Sequence, residues 1–454
     1  MREFRDPIHK FIRLTDFESS IVDTRVFQRL RRIKQLALAN LVYPGALHTR
    51  FEHSLGVFHL ASKMCDRLLT GSDKEYCELV KLAALLHDVG HGPFSHVSES
   101  VLEACYDRSS IKLEQTEKIH EKLTCQIISE STELRRLLGE DRTEKLTGLL
   151  QGTWGDKVLK GIVSGPIDAD KLDYLLRDSY YCGVAYGVYD VDRLLGSLCV
   201  LNFGEERQLA VADDDIHSLE QFVLAKYYMT TQVYRHKVRL ITDQMIVRAL
   251  LLGINVDGID WLRRIYAYDG SSEQLQEWLK WSDELLISSI CNPSTPDGYA
   301  KRIFNSLQER ALFKRIYHKR VREFSPLVRD RITQSFRGMQ ELLEQEVAGM
   351  IDLDHKLVIA HRYTIQSVRE QSRDSEGSIM VSREAGLPVS FEEESVLFHS
   401  IDEAQKDEWL DVFAPVKFKD DRDRRLRMKE LDKRITEAVE SIVGSLAEKE
   451  REEK

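Results

Sequence analysis

The chain of 454 residues is 31% charged and 42% hydrophobic, and its 65 Lys+Arg against 75 Asp+Glu give a formal net charge of −10. These values exclude a disordered or collagenous chain and supply enough apolar residues for a sizeable core in two or more domains. They also deny the global basic field on which general nucleic-acid binders depend, so only a local basic patch is left for that role.

Taken in order, the pattern is mainly helical. Behind Asp23 as N-cap, Val26, Leu30, Ile33 and Leu36 recur at helical spacing with Arg and Lys between them. Tyr43-Pro44-Gly45 closes that run, and further helices are expected over 50–69, 75–89, 120–129, 169–179 and 218–252. Gly90, Gly92 and Pro93 stop the one over 75–89. Strands are expected at 207–211, 356–359, 378–381 and 395–400. The polar stretch 367–384 reads as containing a mobile loop. In 417–454, Met428, Leu431, Ile435, Ala438, Ile442 and Leu446 approach a 3-4 repeat. With fewer than three full heptads, it reads as one helix packed on its own domain rather than an intersubunit coiled coil. A composition change near 255 suggests a first domain over 1–255, a mixed α+β lobe over 256–416 and a charged helix over 417–454.

Seven widely spaced cysteines with no C-x-x-C pair read as reduced thiols. The opening MREFRDPIHKFIRL lacks the apolar core of a signal peptide, and no stretch approaches the roughly 18 apolar residues of a membrane span. The cytoplasm is the expected location, with no membrane partner.

Seven of the 14 histidines (His48, His53, His59, His87, His91, His96 and His120) fall within 48–120, where even spreading would place about two. Around them stand Arg50-Phe-Glu-His53, His87-Asp88, the turn HDVGHGPFSH with His91 and His96, and later Asp168-Ala-Asp170. A hydrolytic metal centre needs neutral imidazoles and carboxylates that leave positions open for water and a substrate oxygen. His53, His87, Asp88 and Asp170 supply two of each from three helices, a set suited to Mn, Mg, Fe or Zn rather than to a closed structural zinc. A capped helix end would explain an isolated His-Asp pair; it does not explain the combination.

On the helix from Ala169, Asp170, Tyr174 and Asp178 share one face while Leu172, Leu175 and Leu176 turn inward. On the helix from Ser218, Lys226, Thr230, Tyr234 and Lys237 stack similarly, and two cations flanking a Tyr suit a phosphate chain beside a sugar. A solvated helix face explains that second stack equally well.

These residues resemble the HD-domain deoxynucleoside triphosphate triphosphohydrolases. The matching strings are Phe27-Gln-Arg-Leu-Arg31, Ile33-Lys-Gln-Leu36, Arg50-Phe-Glu-His-Ser-Leu-Gly56, His87-Asp88, Gly90-His-Gly-Pro-Phe-Ser-His96, His120-Glu121, Asp170-Lys171, Asp173-Tyr174, Arg177-Asp178 and His236-Lys237, with Arg310-Ala-Leu-Phe-Lys314 further on. The resemblance implies an HD-domain helical core followed by a smaller α+β lobe and a charged terminal helix. It implies metal ligands at His53, His87, Asp88 and Asp170, and phosphate and catalytic histidines at His91, His96 and His120. It also implies an acidic Glu99 that orients the catalytic His96. Arg50, Lys171, Lys226 and Tyr234 would grip the triphosphate. Gln35 and Asp178 would bond the sugar 3′-hydroxyl, Leu36 and Tyr174 would line the sugar, and Tyr234 would crowd out a ribose 2′-hydroxyl. The implied reaction is attack of water on the α-phosphorus of a dNTP, giving a deoxynucleoside and tripolyphosphate.

A nucleotide effector and a homo-oligomer, dimer or tetramer, are implied in part. Asp23, Gln28, Arg31, Arg193, Arg310 and Lys314 have counterparts in the family's effector sites. The segment that should bring cations to a second effector, however, is Ala212-Asp-Asp-Asp215, which repels a triphosphate. No SAM domain is recognised in these residues. Two other functions share the metal core: hydrolysis of another nucleotide, such as a monophosphate or a guanosine alarmone, and non-catalytic sensing of nucleotides or single-stranded nucleic acid. Gln35, Tyr174, Asp178 and Tyr234 favour a sugar-plus-triphosphate ligand over the first. The presence of His96, Glu99 and His120 together, and the net charge, weigh against the second.

Overall fold

A computed structural model describes residues 1–106, 118–203, 206–365, 373–374, 377–384, 386–399 and 407–452. It opens on an antiparallel hairpin, Arg2–Asp6 paired with Lys10–Leu14, whose alternating charged and apolar residues send Ile12 and Leu14 into the core. The helix Asp16–Val22 follows, started by a capping box in which Thr15 and Glu18 satisfy each other's backbone N–H groups.

The run expected as one helix from Val26 is instead a single turn, Arg25–Gln28, with Thr24 rather than Asp23 at the cap, and then the 3-10 turn Arg29–Arg32. Ile33 is already extended, because the backbone of Lys34 pairs with Thr49. Val26, Leu30, Ile33 and Leu36 are all buried even so. Helical spacing was therefore kept by a chain that leaves the helix halfway.

The helices that frame the site agree with the sequence reading: Arg50–Leu68, Cys77–Leu86, Ile119–Glu130 and Ala169–Cys182. Gly56 lets two of them meet, since a Cβ there would lie 1.9 Å from Asp173 Oδ1 on the Ala169–Cys182 helix. The long helix expected over 218–252 is broken. Ile216–Tyr228 ends in a π-helical turn, Met229–Tyr234, and a new helix, Lys237–Asn255, begins after it. Lys237 is thus not on a common helical face with Lys226 and Tyr234.

By contact the chain forms two units with interleaved segments, Met1–Tyr234 with Gly258–Thr295 and Val368–Glu403, and Arg235–Asp257 with Pro296–Ser367 and Ala404–Lys454. The composition change near 255 had suggested consecutive domains. In the first unit, Leu198–Phe203 and Glu206–Ala212 form an antiparallel pair, and Met380–Ser382 adds in parallel with Ala210 opposite Met380. The second unit centres on Asp407–Ala414, flanked antiparallel by Lys314–Arg320 and Ile359–Ile365. Its core joins Ile332, Met339, Leu343 and Val347 of the helix Pro326–Ile351 to Leu431, Ile435, Val439 and Val443 of the terminal helix Asp421–Glu452. The apolar repeat of that last helix is therefore spent on its own unit.

Two strand expectations need correction. Residues 356–359 are mostly the 3-10 turn His355–Leu357, with the strand starting at Ile359, because Asp354 caps the backbone N–H of Lys356. Residues 396–399 form a helical turn after the helix Phe391–Glu394, and their alternation instead buries Phe398 against Phe391. Much of the loop expected at 367–384 lies outside the described residues. Among the described residues no helix is long and apolar enough to cross a membrane.

Candidate metal centre and phosphate cleft

His53 lies one turn into the Arg50–Leu68 helix, His87 caps the end of Cys77–Leu86, and Asp170 opens Ala169–Cys182. These three helices bring one ligand atom from each residue within 4.8 Å of the others. The imidazoles are set as metal ligands require. His53 Nδ1 is 2.8 Å from Asp173 Oδ2 and His87 Nδ1 is 2.8 Å from the Ala84 carbonyl, so each donates its Nδ1–H outward and turns its Nε2 lone pair inward. Both Nε2 atoms are buried without a hydrogen bond. The residues present therefore fit a divalent cation, and the side chain of Asp170, 32% exposed, leaves the site open to the cleft.

Asp88 is close but differently engaged. Its Oδ1 is 3.3 Å from His87 Nε2 and its Oδ2 3.6 Å from His53 Nε2, yet Oδ2 is held by a short contact with Arg50 Nη1. Burial raises the Asp88 carboxyl, but the Arg50 guanidinium and the imidazoles of His87 and His91 outweigh it and hold it far below the usual range. For His53, burial disfavours the protonated ring, but the carboxylates of Asp170, 2.9 Å from Nε2, and of Asp173 overcome this and raise it to about 10, a negative field in which a divalent cation at Nε2 would take the place of the proton.

Arg50 is 1% exposed, donates Nε–H to Ser95 Oγ at 2.8 Å, and keeps Nη2 without a hydrogen-bond partner. Next to it His91, His96 and His120 form a cluster. His91 stacks on His120 at 4.0 Å, and His96 lies edge-on to His91 at 4.8 Å. Burial, then the charge of Arg50, push His91 and His96 well below the ordinary histidine range. His96 is nonetheless open to solvent: it stands in a cleft surrounded by protein but not sealed.

The acidic partner falls elsewhere than expected. Glu99 does not orient His96; its Oε2 is 2.7 Å from His120 Nδ1, and its Oε1 accepts the Ile119 N–H at 2.8 Å. The i, i+3 spacing from His96 placed both on one helix, but the carboxylate reaches across to the start of the helix bearing His120.

Of the expected sugar-binding residues, Gln35 is buried with Oε1 unpartnered, and Leu36 is buried. Tyr174 and Tyr234 meet edge to face at 6.2 Å. Asp178 Oδ2 accepts from Tyr234 at 2.6 Å and Oδ1 pairs with His48 Nε2 at 2.8 Å. Lys171 is turned onto its own helix start, at 2.6 Å from Asp168 Oδ2 and 2.8 Å from the Gly165 carbonyl. Lys226 is half-buried at the end of the Ile216–Tyr228 helix.

The expected effector residues are divided between the two units. Gln28 accepts from Arg31 Nε at 2.9 Å, Arg31 lies over the Phe51 ring, and Asp23 pairs with Arg2, all in the first unit. Arg193 is taken by Asp215 of the acidic run. Arg310 and Lys314 belong to the second unit.

Several functional candidates carry no sequence signal of their own role. Asp173 is fully buried and bridges His53 Nδ1, His9 Nε2 (2.6 Å) and the Arg177 guanidinium (2.7 and 3.0 Å), while Arg177 also reaches Asp6. Its i, i+3 relation to Asp170 and i, i+4 relation to Arg177 were readable; its bonds to His9 and His53 were not. Phe94 and Ser95, both buried, stand at φ 63° and 54° just before His96, a strain of about 1–3 kcal/mol each.

Histidines and aspartates converging from separate helices of one helical core form an HD-type candidate metal centre. The chain belongs to the HD-domain family: the HD associated region matches residues 189–436 and the HD domain matches residues 50–178. A deoxynucleoside triphosphate triphosphohydrolase SAMHD1 homolog of Dictyostelium discoideum is 28% identical over 415 residues, covering 86% of this chain and 76% of its own. An uncharacterised protein of Bacillus subtilis is 35% identical over 254 residues, covering 54% of each chain. The chain spans about half the length of that relative and of an uncharacterised Methanocaldococcus jannaschii protein, 54% and 51% respectively. A crystal structure of a hypothetical protein from Aquifex aeolicus superposes with TM-score 0.69 at 27% identity, covering 96% of this chain and 99% of that one.

Proposed function

We propose that the protein hydrolyses deoxynucleoside triphosphates to deoxynucleoside and tripolyphosphate. The observation that carries this reading is the cluster of two buried histidine Nε2 atoms, Asp170, an unpartnered Arg50 N–H and three packed imidazoles. A divalent cation held by His53, His87, Asp170 and Asp88 would neutralise a phosphoryl oxygen and acidify water there.

The protein's own groups do the rest. Arg50 donates to charge that builds on the α-phosphoryl oxygens. His96, open to the cleft, takes up the proton released by the attacking water and passes it to the leaving 5′-oxygen, and His120, its Nδ1 fixed by Glu99, turns Nε2 towards the phosphate chain. Gln35 offers its buried Oε1 to a sugar hydroxyl, while Tyr174, Tyr234 and Asp178 wall the sugar. Lys171 and Lys226 supply cations once Lys171 releases Asp168. The curated SAMHD1 relatives, named as deoxynucleoside triphosphate triphosphohydrolases, support the same substrate.

The proposed setting is a cytoplasmic homo-oligomer. Arg193, paired with Asp215, supports a nucleotide response unlike the family's two-effector pattern. Hydrolysis in ¹⁸O-water tests the bond broken: the label enters tripolyphosphate if water attacks phosphorus, and its appearance in the nucleoside 5′-hydroxyl would contradict the reading.

A further inference from the structure

We propose that Asp283, which lies in the HD associated region and outside the HD domain match, is a positioning residue that locks Arg50 and the Gln35 loop in their working geometry. The proposal rests on the triphosphohydrolase reading above. Asp283 starts the helix Asp283–Ile290 and is 1% exposed. Its two oxygens are divided between two loops: Oδ1 accepts the Phe94 N–H at 2.8 Å and Oδ2 accepts the Lys34 N–H at 2.9 Å. The next residues along these loops are Ser95, which bonds Arg50, and Gln35, buried with Oε1 unpartnered.

The connection closes on itself. Ser95 Oγ donates to the Lys34 carbonyl at 2.7 Å and accepts Arg50 Nε–H at 2.8 Å, and Arg50 in turn holds Asp88. Fixing Lys34 and Phe94 therefore fixes the serine hydroxyl, and the serine hydroxyl fixes the plane of the guanidinium. The clamp also explains how Phe94 and Ser95 persist at positive φ, a conformation the surroundings must enforce.

Neighbouring residues reinforce it. Trp278 Nε1 donates to the Gly90 carbonyl at 3.0 Å, and its ring occupies the space a Cβ on Gly92 would need. Arg29 donates to the His91 carbonyl at 2.7 Å and to the Trp281 carbonyl at 3.3 Å. Packing alone would be served by an apolar residue at 283. A buried carboxylate, faced by Lys34, Arg29, Glu284 and Tyr266, is warranted by the two backbone donors it holds.

The test is Asp283→Asn, which keeps the shape but turns an NH₂ group toward one of the two backbone donors. With each dNTP and Mn²⁺, kcat is expected to fall about ten- to a hundredfold with KM within about threefold, and bound Mn²⁺ to stay unchanged. Hydrogen exchange of peptides spanning 33–36 and 89–98 is expected to accelerate at least about tenfold while the Arg50–Leu68 helix is unaffected. Wild-type kcat, a pure KM effect, or unchanged exchange would overturn the proposal. If the wild-type protein cleaves no dNTP, the exchange result still decides the clamp, and only the substrate reading falls. If Asp283→Asn does not fold, Ser95→Ala breaks the same chain one link on. It should lower kcat with KM kept, and wild-type kcat there would equally overturn the proposal.

Discussion

Glu99 and His120 form a buried acid–imidazole pair, Oε2 to Nδ1 at 2.7 Å, across two helices that enclose the phosphate cleft. The carboxyl is raised by burial but lowered further by its bonds to His120 and to the backbone of Ile119, so it is ionised at neutral pH. It fixes the His120 tautomer, with the proton on Nδ1 and Nε2 left free of Glu99. Glu99→Gln should lower kcat about tenfold or more, and His120→Ala in the same background should add little, because the two act as a unit. A double-mutant cycle in kcat/KM checks this, and fully additive losses would show that Glu99 does not work through His120.

Asp173 holds the ligand His53 by its outer nitrogen while Arg177 and His9 hold Asp173. Asp173→Asn should weaken Mn²⁺ binding about 10- to 100-fold with the fold retained. Equilibrium dialysis with metal analysis measures it, and wild-type affinity would remove Asp173 from the metal centre.

Tyr234 donates to Asp178 at 2.6 Å and stands edge to face with Tyr174. Tyr234→Ala should admit the ribose 2′-hydroxyl, narrowing the preference for dNTP over NTP by about 1–3 kcal/mol, or roughly 10- to 200-fold. Paired kcat/KM values for dATP and ATP report it; an unchanged ratio would place the steric gate elsewhere.

In the second unit, His361 is pushed down to about 3, first by burial and then by the Arg235 charge. Its folded pKa lies below the unfolded value of about 6.5, so the unfolded chain binds more protons between these pH values. Its neutral burial therefore stabilises fully at high pH, and that contribution is lost as pH falls below about 6.5, at up to ~1.4 kcal/mol per unit. Nε2 makes no hydrogen bond and the ring stacks on Tyr363. His361→Phe should accordingly fold and flatten the decline of Tm between pH 7 and pH 5. Parallel slopes for the two proteins would assign that decline to other groups.

His53, His87 and Asp170 come together as the sequence spacing led one to expect because they lie on helices whose apolar spacing is unambiguous. The HD-type helical core and the smaller sheet-containing region agree with the family matches. The sequence reading failed where long-range pairing decides local form: Ile33 leaves its helix because Lys34 is claimed by Thr49 and Asp283, and the helix after Ser218 breaks at a π-helical turn that no spacing announces. The supports of the site were illegible for the same reason. His9 to Asp173 and Lys34 to Asp283 are separated by 164 and 249 residues, and no spacing in the sequence links the two sides of either pair.

The most direct test incubates the purified protein with each dNTP and Mn²⁺ or Mg²⁺ and separates the products by ion-exchange chromatography. Deoxynucleoside and tripolyphosphate in equal amounts, lost in His53→Ala, are the predicted result. Release of diphosphate or orthophosphate, or nucleotide bound tightly without turnover, would contradict the assigned reaction.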